Sequence, residues 1–296
     1  MTIQEKINRK VALIEGRLDI YLQKENFAGN TLVEAMRYSV FTGGKRLRPI
    51  LLLATHELLD GDCEEALALA CAIEMIHTYS LIHDDLPAMD NDDIRRGKPT
   101  NHKVFGDGFA LLAGDGLLNY AFEIMLYNSL HYQHHIANHI NAILEIAKGA
   151  GVHGMIAGQC LDLSNEGKDI DVSTLSMIHE RKTSALILSA LMAGLTLNNP
   201  TQRESEAVCL FGSHVGLSFQ IIDDILDITG DVKKTGKEVG RDVLKDKATF
   251  PKFYGLEKSK KIVNSLIDEA VDSLTVFGQK ADFLKEYAIY LGKRDY

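Results

Sequence analysis

The sequence predicts an all-α protein on the strength of three observations. Apolar residues recur at helical spacing over long segments, and no sustained two-residue alternation or Asn-Gly hairpin turn indicates a strand. The five prolines stand where helices would start or stop. No repeat, low-complexity tract or linker divides the chain, so residues 1–296 are expected to form a single domain of about ten or more packed helices.

Amphipathic helices are predicted near both ends of the chain. Ile7, Val11, Ile14 and Leu18 lie on one stripe of the first helix. The last helix repeats apolar residues at helical spacing, namely Val263, Leu266, Ile267, Ala270, Val271 and Leu274. Both patterns are typical of helices that present one apolar stripe.

Local signals between these two helices predict where other helices begin and end. Gly43-Gly44 ahead of Pro49 predicts one helix end and one helix start, and Thr201-x-x-Glu204 resembles a capping box. Polar, Gly-containing stretches predict loops over 43–48, 91–107, 164–171 and 229–247. Three of these loops carry clustered basic residues.

Composition excludes several classes of function. With 32 basic and 41 acidic side chains the net charge is −9, which argues against broad electrostatic binding to nucleic acid or anionic lipid. The first residues lack the apolar run of a signal peptide, and the apolar stretch 184–197 is shorter than a membrane span, so we expect a cytoplasmic protein. The four cysteines lie far apart, which fits reduced thiols.

An acidic cluster inside apolar sequence, Asp84-Asp85-x-Pro87-x-x-Asp90, is the first chemical signal. On an unbroken helix the spacing of six from Asp84 would point Asp90 away. Pro87 ends or kinks the helix after about Asp85, and this lets Asp90 return toward Asp84.

A second acidic cluster contains Asp223, Asp224 and Asp227. Asp223 and Asp227 are i, i+4, so they share a helix face with Asp224 beside them. Like charges this close in apolar surroundings repel and lose hydration, which is costly unless a cation is present. Carboxylates without His or Cys ligands favour a hard cation such as Mg²⁺, which takes one or two protein carboxylates and completes its shell with phosphate oxygens. The clusters therefore predict a diphosphate as third partner.

Basic residues form a complementary set. Lys45, Arg46 and Arg48 lie at the mouth of a predicted helix, whose free N–H groups attract anions. Arg95 and Arg96 follow the first acidic cluster. The second cluster is followed by Lys233, Lys234, Lys237, Arg241 and Lys247. In an acidic protein this grouping predicts recognition of a second, metal-free diphosphate and of the outer oxygens of the first.

Taken together, these motifs resemble the trans-isoprenyl diphosphate synthases. The resemblance spans nearly the whole chain and rests on the two aspartate clusters together with Gly43-Gly44-Lys45-x-x-Arg48-Pro49, Arg95-Arg96-Gly97-x-Pro99-Thr100-x-His102, Gly236-Lys237-x-x-Gly240-Arg241-Asp242 and Lys247-x-Thr249-x-Pro251. The four residues between Asp85 and Asp90 are similar to the bacterial farnesyl diphosphate synthase type. The resemblance implies helices around a central cavity, two or three Mg²⁺ ions and a homodimer.

The resemblance also implies a role for each motif. The residues that would bind Mg²⁺ are Asp84, Asp90, Asp223, Asp224 and Asp227, with Asp85 in the same catalytic cluster. Those that would bind the diphosphate of dimethylallyl or geranyl diphosphate are Arg95, Lys182, Lys237 and Lys247. Those that would bind isopentenyl diphosphate are Gly44, Lys45, Arg48, His77 and Arg96. Thr183 and Gln220 would supply fixed dipoles to the reacting allylic group.

Product length is predicted from the residues just upstream of Asp84. Tyr79 lies five residues before it, about 7.5 Å along a helix, so an aromatic ring there would stop the growing chain early. In the family such an aromatic accompanies a C15 product, which makes Tyr79 and its neighbour Ser80 the candidate chain-length residues and farnesyl diphosphate the expected product. Geranyl and geranylgeranyl diphosphate remain alternatives within the family. A class I terpene cyclase and a non-catalytic regulatory subunit are alternatives outside this activity.

Overall fold

The computed structural model describes residues 1–24, 28–229 and 248–293. Its helices are α1 (Ile3–Tyr21), α2 (Asn30–Val40), α3 (Leu47–Glu57), α4 (Cys63–Asp84), α5 (Asn101–Phe105), α6 (Asp107–His131), α7 (Ile136–Ala150), α8 (Met155–Asn165), α9 (Val172–His179), α10 (Ala185–Thr196), α11 (Gln202–Thr229), α12 (Phe250–Tyr254), α13 (Leu256–Ser273) and α14 (Asp282–Gly292). Short 3₁₀ segments cover Gln133–His135 and Leu274–Ala281, and a π-helical turn, Glu180–Ser184, joins α9 to α10. The predicted all-α class is confirmed.

The segment 91–107, predicted as a loop, contains regular structure. Strands β1 (Ile94–Arg95) and β2 (Lys98–Pro99) form an antiparallel hairpin, and α5 follows it. The hairpin turns at Arg96 and Gly97, whose φ angles of 52° and 74° match the twist of paired strands. Thr100 then closes the segment, because its hydroxyl donates to the Asp92 carbonyl at 2.7 Å. The prediction of a loop was wrong here, because strands of two polar-flanked residues are too short to show an alternating apolar pattern.

Capping explains where several helices begin. Thr2 and Glu5 form a capping box on α1, and Thr201 and Glu204 form the predicted one on α11, with the Thr201 N–H donating to Glu204 at 2.7 Å. The predicted break at Gly43-Gly44 is also confirmed, since α2 ends at Val40 and α3 begins at Leu47.

Helix α4 lies at the centre of the fold. It packs against α3 and α6 and, more lightly, against α1, α2 and α10. Most of its side chains are buried, which is typical of a helix that is apolar all round. Helix α10 packs between α3, α7 and α11, and α11 packs along α13. The C-terminal end of α4 is consequently held by helices on several sides.

Two of the described helices, α4 and α6, are long and apolar enough to cross a membrane by length and composition alone. Both are longer than α10, which is formed by the less charged stretch 184–197. In α4, 78% of the apolar window is buried inside the protein, as in a core helix, whereas in α6 the buried share is 39%. Helix α6 therefore leaves an apolar face uncovered in the single chain.

Candidate active site

The first acidic cluster lies where α4 ends. Asp84 is the last residue of α4, and Pro87 follows one turn later. The chain then reverses, and the Asp90 N–H donates to the Asp84 carbonyl at 2.9 Å. The predicted effect of Pro87 is confirmed, because Asp90 lies beside Asp84 rather than one and a half turns further along a helix.

Burial makes the Asp84 carboxyl a weaker acid than an ordinary aspartate. The pKa of this carboxyl is raised to about 6, first by burial and then by the nearby charges of Asp90 and Asp85, while Lys182 and Arg95 act in the opposite direction. The carboxylate is half-buried, and the nearby positive charges do not offset the cost of burying its negative charge. Such a group is well suited to hold a cation.

Asp85 has a different environment from its neighbour. It is buried, and it accepts hydrogen bonds from Arg95 Nε at 2.7 and 2.9 Å and from Arg95 Nη2 at 2.5 Å. Burial raises the pKa of Asp85, and the pairing with Arg95 opposes that rise. Asp85 therefore orients the Arg95 guanidinium at the edge of the site.

The second acidic cluster repeats this division of roles on α11. Asp224 is buried, and its carboxylate accepts from the Phe250 N–H at 3.0 Å and from Gln220 Nε2 at 3.2 Å. The Gln220 carbonyl in turn accepts from the Thr183 hydroxyl at 2.8 Å. Asp223 is exposed at the helix surface. In each cluster the second aspartate is held by the protein and the first is more open.

One cavity brings the two clusters together. Asp90 and Asp224 both line it, although their motifs are far apart in sequence. Lys182, on the π-helical turn, also lines this cavity, and its Nζ lies 2.6 Å from a carboxylate oxygen of Asp162 on α8. Thr183 and Gln220 complete the polar wall. Two acidic walls and a lysine thus face a common space.

An apolar pocket adjoins this polar cavity between α4, α6 and α8. Its volume is about 590 Å³, within the range of small-molecule sites. Lys182, Thr183 and Gln159 line both spaces, so the two spaces adjoin at these residues. Tyr79 and Ser80 line the apolar pocket together with residues that include Leu118, Met155 and Ile156. Burial, with a contribution from Asp84, raises the pKa of the Tyr79 phenol to about 12.

His77 and Arg48 line the same apolar pocket as Tyr79, and the charges of four arginines act on His77. Burial lowers the pKa of His77 well below its ordinary value, and the charges of Arg48, Arg96, Arg95 and Arg46 lower it further. His77 is therefore neutral at physiological pH in a strongly electropositive environment. This region is a candidate anion site.

Arg48 carries an unsatisfied buried atom in this region. Its Nε is buried and makes no hydrogen bond within the described residues. Burial lowers the pKa of Arg48 to about 10, although Glu74 and Asp223 favour its charged form. A buried guanidinium with a spare donor fits a phosphate oxygen as partner.

The Gly43-Gly44 turn is shaped by Arg96. Arg96 donates from Nη1 to the Gly43 carbonyl. Gly44 has a φ of +142°, and a Cβ on it would lie 2.9 to 3.0 Å from the Arg96 guanidinium. A side chain at Gly44 would thus displace Arg96. Lys45, the next residue, is exposed ahead of α3.

Arg46 differs from the other cations predicted at this helix mouth. It is buried, its Nη1 lies 2.9 Å from Glu74 Oε1, and its Nη2 lies 3.1 Å from Glu15 Oε1. Nη2 also donates to the Val40 carbonyl at 2.7 Å. Arg46 therefore has a structural role, and only Lys45 and Arg48 of the three basic residues stay candidates for binding a ligand.

Some candidates lie outside the described residues, and others were missed. The former are Lys237 and Lys247, with Lys233, Lys234 and Arg241. The missed residues are Gln159 and Asp162, which lie on α8 facing the cavity, and His179, whose Nε2 is 4.0 Å from Asp224. Gln159 and Asp162 could have been found from their spacing, because polar residues three positions apart in an apolar helix share one face.

The chemistry of the donor set fits a divalent cation that binds with a phosphate ligand. Within the described ranges, no three His, Cys, Asp or Glu side chains lie close enough together to hold a metal by themselves. Mg²⁺ requires only one or two carboxylates from the protein when phosphate oxygens and waters complete its shell. Asp84 and Asp90, adjacent and oxygen-only, provide such a pair.

Comparison with known proteins decides the family. The polyprenyl synthetase family model matches residues 30–282. This chain belongs to the polyprenyl synthetase family. As a member it is a prenyltransferase of isoprenoid biosynthesis, in the trans-isoprenyl diphosphate synthase group, and members of this family use divalent metal ions.

Relatives within the polyprenyl synthetase family differ in their products. The farnesyl diphosphate synthase of Bacillus subtilis is 40% identical over 289 residues, covering 96% of this chain and 95% of that protein. The chloroplastic geranylgeranyl pyrophosphate synthase of Capsicum annuum is 47% identical over 273 residues, covering 88% of this chain and 71% of that protein. A crystal structure of a synthase of FPP and GFPP from Zymomonas mobilis superposes with a TM-score of 0.86 at 37% identity, covering 98% of each chain.

Proposed function

We propose that this chain condenses isopentenyl diphosphate with dimethylallyl diphosphate and then with geranyl diphosphate, to give (2E,6E)-farnesyl diphosphate. The observation that carries the proposal is that one aspartate of each cluster, Asp90 and Asp224, lines a single polar cavity. This cavity shares Lys182 and Thr183 with an adjoining apolar pocket, which is bordered by Asp84 and Tyr79. A diphosphate and its hydrocarbon tail need such a polar and apolar pair of spaces.

The metal site would be formed from both walls. Asp84 and Asp90 would hold Mg²⁺ from the α4 side, and Asp223, Asp224 and Asp227 from α11, with two or three ions per site. The bound ions would neutralise the negative charge that develops on the leaving diphosphate. The raised pKa of Asp84 supports this assignment, since a cation would stabilise the charged form that burial disfavours.

The allylic diphosphate would be bound next to these aspartates. Arg95 and Lys182 carry the nearby positive charge, and the assignment extends to Lys237 and Lys247. Because Asp85 holds Arg95 at two oxygens, the guanidinium is oriented before a substrate arrives.

Isopentenyl diphosphate would occupy the electropositive region around His77. Lys45, Arg48 and Arg96 would bind its phosphates, and Gly44 would leave room for Arg96. The orphaned Nε of Arg48 supports this placement. His77 would remain neutral, so it would donate a hydrogen bond to the diphosphate without adding a positive charge.

The chain needs no nucleophile for this reaction. As the allylic C–O bond breaks, Lys182 and Arg95 stabilise the departing diphosphate, and the apolar pocket excludes the water that would capture the allylic cation. Thr183 and Gln220, which line the adjoining polar cavity and are fixed by the hydrogen bond between them, would supply dipoles to the reacting allylic group. The isopentenyl double bond forms the new C–C bond, and the proton then lost goes to the released diphosphate.

The decisive experiment measures diphosphate release by the purified chain alone. Isopentenyl and dimethylallyl diphosphate with Mg²⁺ should release diphosphate, EDTA should stop the release, and added Mg²⁺ should restore it. A silent regulatory subunit would show no release. A cyclase would release diphosphate from an allylic substrate without isopentenyl diphosphate and give a cyclic hydrocarbon.

Geranylgeranyl diphosphate is a second candidate product. It is favoured by the relative from Capsicum annuum, which is named for that product and is 47% identical to this chain. Chromatography of the dephosphorylated product from the two C5 substrates separates C15 from C20. A C20 product would leave the reaction class intact and remove the farnesyl assignment.

The proposal includes a homodimer and a cytoplasmic location. Exposed apolar side chains on α6 and α7 support the dimer, namely Leu112, Leu126, Leu130, Ile140 and Leu144. The similarity to the Bacillus subtilis relative, whose name carries no organelle, supports the location, whereas the relative from Capsicum annuum is named as chloroplastic.

A further inference from the structure

The apolar pocket has a wall contact that the proposed function does not use. His83, next to Asp84, directs its imidazole onto helix α6. Its Nε2–H donates to the Leu111 carbonyl at 3.0 Å, and a carboxylate oxygen of Asp115 lies 3.8 Å from the same nitrogen. His83 and Asp115 both line the pocket. The imidazole is therefore fixed between α4 and α6 at the pocket wall.

Gly114 provides the space that the imidazole occupies. A Cβ on Gly114 would overlap the ring of His83. Gly114 lies inside α6, where glycine costs about 1 kcal/mol of helix stability relative to alanine. The close approach of His83 gives a physical reason for glycine at this position.

Tyr79 lies one helical turn before His83 and packs against it. The ring centroids are 5.7 Å apart and the planes meet at 78°, an edge-to-face contact. The Tyr79 hydroxyl is buried and makes no hydrogen bond to any described residue. Since the hydroxyl does not anchor the ring, packing holds it in place, and His83 is the aromatic partner in that packing.

We propose that His83 is a positioning residue for product length. Held on α6 in the space left by Gly114, it keeps the Tyr79 ring across the apolar pocket. The inference rests on the proposed function, because it concerns the product of that reaction. An edge-to-face aromatic contact changes a conformational equilibrium by a factor of about 2 to 12. Losing it should enrich longer products by a factor in that range.

The test compares product lengths made by variants of the full chain from isopentenyl and geranyl diphosphate. His83→Gln keeps an N–H donor and removes the ring, whereas His83→Phe keeps a ring and removes the donor. Gly114→Ala displaces the ring. Arg203→Ala, an exposed change near the start of α11, is the control. Circular dichroism verifies that each variant is folded, and if His83→Gln does not fold, Gly114→Ala and His83→Phe decide the outcome.

We expect His83→Gln and Gly114→Ala to raise the ratio of longer product to wild-type product about 2- to 12-fold. His83→Phe keeps the ring but loses the hydrogen bond to the Leu111 carbonyl, so it should give a smaller rise, and Arg203→Ala should keep the wild-type ratio. In a Tyr79→Ala background, His83→Gln should add nothing, because its effect passes through Tyr79.

Two results would overturn the inference while leaving the proposed function in place. One is an active wild type whose ratio is unchanged in both His83→Gln and Gly114→Ala. The other is a full additional shift from His83→Gln when Tyr79 is already alanine. A wild type that forms no condensation product would instead overturn the proposed function, and this inference with it.

Discussion

At the scale of single residues, adjacent aspartates have different environments. Asp85 and Asp224 are buried and bound by groups of the protein, whereas Asp84 and Asp223 are more open. Asp84 in particular has no protein partner strong enough to offset its burial, so its pKa stays raised to about 6. The charged Asp84 carboxylate is available to bind a cation, but its burial destabilises the folded protein when no metal is bound.

The first prediction is that Asp84→Asn abolishes activity and stabilises the metal-free protein. The raised folded-state pKa means that the folded protein binds more protons than the unfolded chain between about pH 4 and 6, so stability contributed by Asp84 falls as pH rises through this window. At pH 8 the variant should gain up to about 3 kcal/mol, the equivalent of a two-unit shift. Urea unfolding at pH 8 and below pH 4 measures the gain, which should vanish at the lower pH.

Asp169→Asn is the matched control, since Asp169 is exposed on the surface and should change stability little. Equal stability of wild type and Asp84→Asn at pH 8 would contradict the idea that burial of this charge is costly.

The second prediction concerns Tyr79. Tyr79→Ala should extend the pocket and shift the main product by at least one C5 unit, because the ring that borders the hydrocarbon space is removed. Tyr79→Phe is the control and should retain the wild-type length, since the hydroxyl has no hydrogen-bond partner among the described residues. Chromatography of dephosphorylated products provides the measurement. An unchanged spectrum in Tyr79→Ala would remove its chain-length role.

A third prediction at this scale separates structural from surface ion pairs. Glu74→Ala leaves the buried Arg46 charge without its 2.9 Å partner, and we expect a loss of about 3 to 5 kcal/mol in urea unfolding. Glu34→Ala breaks the exposed pair with Lys24, 2.5 Å apart, and should cost at most about 1 kcal/mol. Similar losses in both variants would show that burial of Arg46 is not what makes its pair important.

At the scale of elements, glycines allow helices to approach the site closely. A Cβ on Gly158 of α8 would overlap the backbone of Lys182, on the π-helical turn that lines the polar cavity. A Cβ on Gly194 of α10 would overlap the Leu52 carbonyl of α3 in the same way. The positions of α8 and α10 therefore depend on residues without side chains.

The fourth prediction is that Gly158→Ala displaces the turn that carries Lys182. A shift of about 1 Å at a substrate-binding group can lower activity by a factor of about 10², so we expect kcat/KM to fall by about that factor. Gly16→Ala is the control, because a Cβ there would meet no atom within 4 Å outside the adjacent residues and backbone of its own helix. The change in α1 should stabilise the protein by about 0.5 to 1 kcal/mol. Steady-state kinetics with urea unfolding distinguishes the two effects. Wild-type kinetics in Gly158→Ala would show that the contact is unimportant.

At the scale of the whole molecule, the uncovered face of α6 and α7 is the main unexplained surface. Leu112, Leu126 and Leu130 lie along one side of α6, and each is at least 50% exposed. A contiguous apolar face of this kind marks a protein interface more often than a free surface. Stable interfaces bury about 1,200 to 2,000 Å², which two long helices can supply.

The fifth prediction is that the protein is a dimer whose contact includes this face. Leu126→Lys with Leu130→Lys should give a monomer in light scattering after size exclusion, because two charges would be buried at the contact. Lys substitution of Ile20, exposed on α1, is the control and should leave the dimer intact. A monomeric wild type at tens of micromolar would contradict the prediction.

The sequence by itself determined the helical class, the order of the motifs and the reversal at Pro87, because periodicity, capping and proline geometry are local properties. The tertiary structure decided which charged groups are available. Arg46 is neutralised by Glu74, and Asp224 is held by the Phe250 N–H, through pairings between residues 28 and 26 positions apart. Burial and pairing depend on such distant partners. The order of residues therefore placed each charged side chain in a motif, but it did not show whether that side chain faces the cavity or the core.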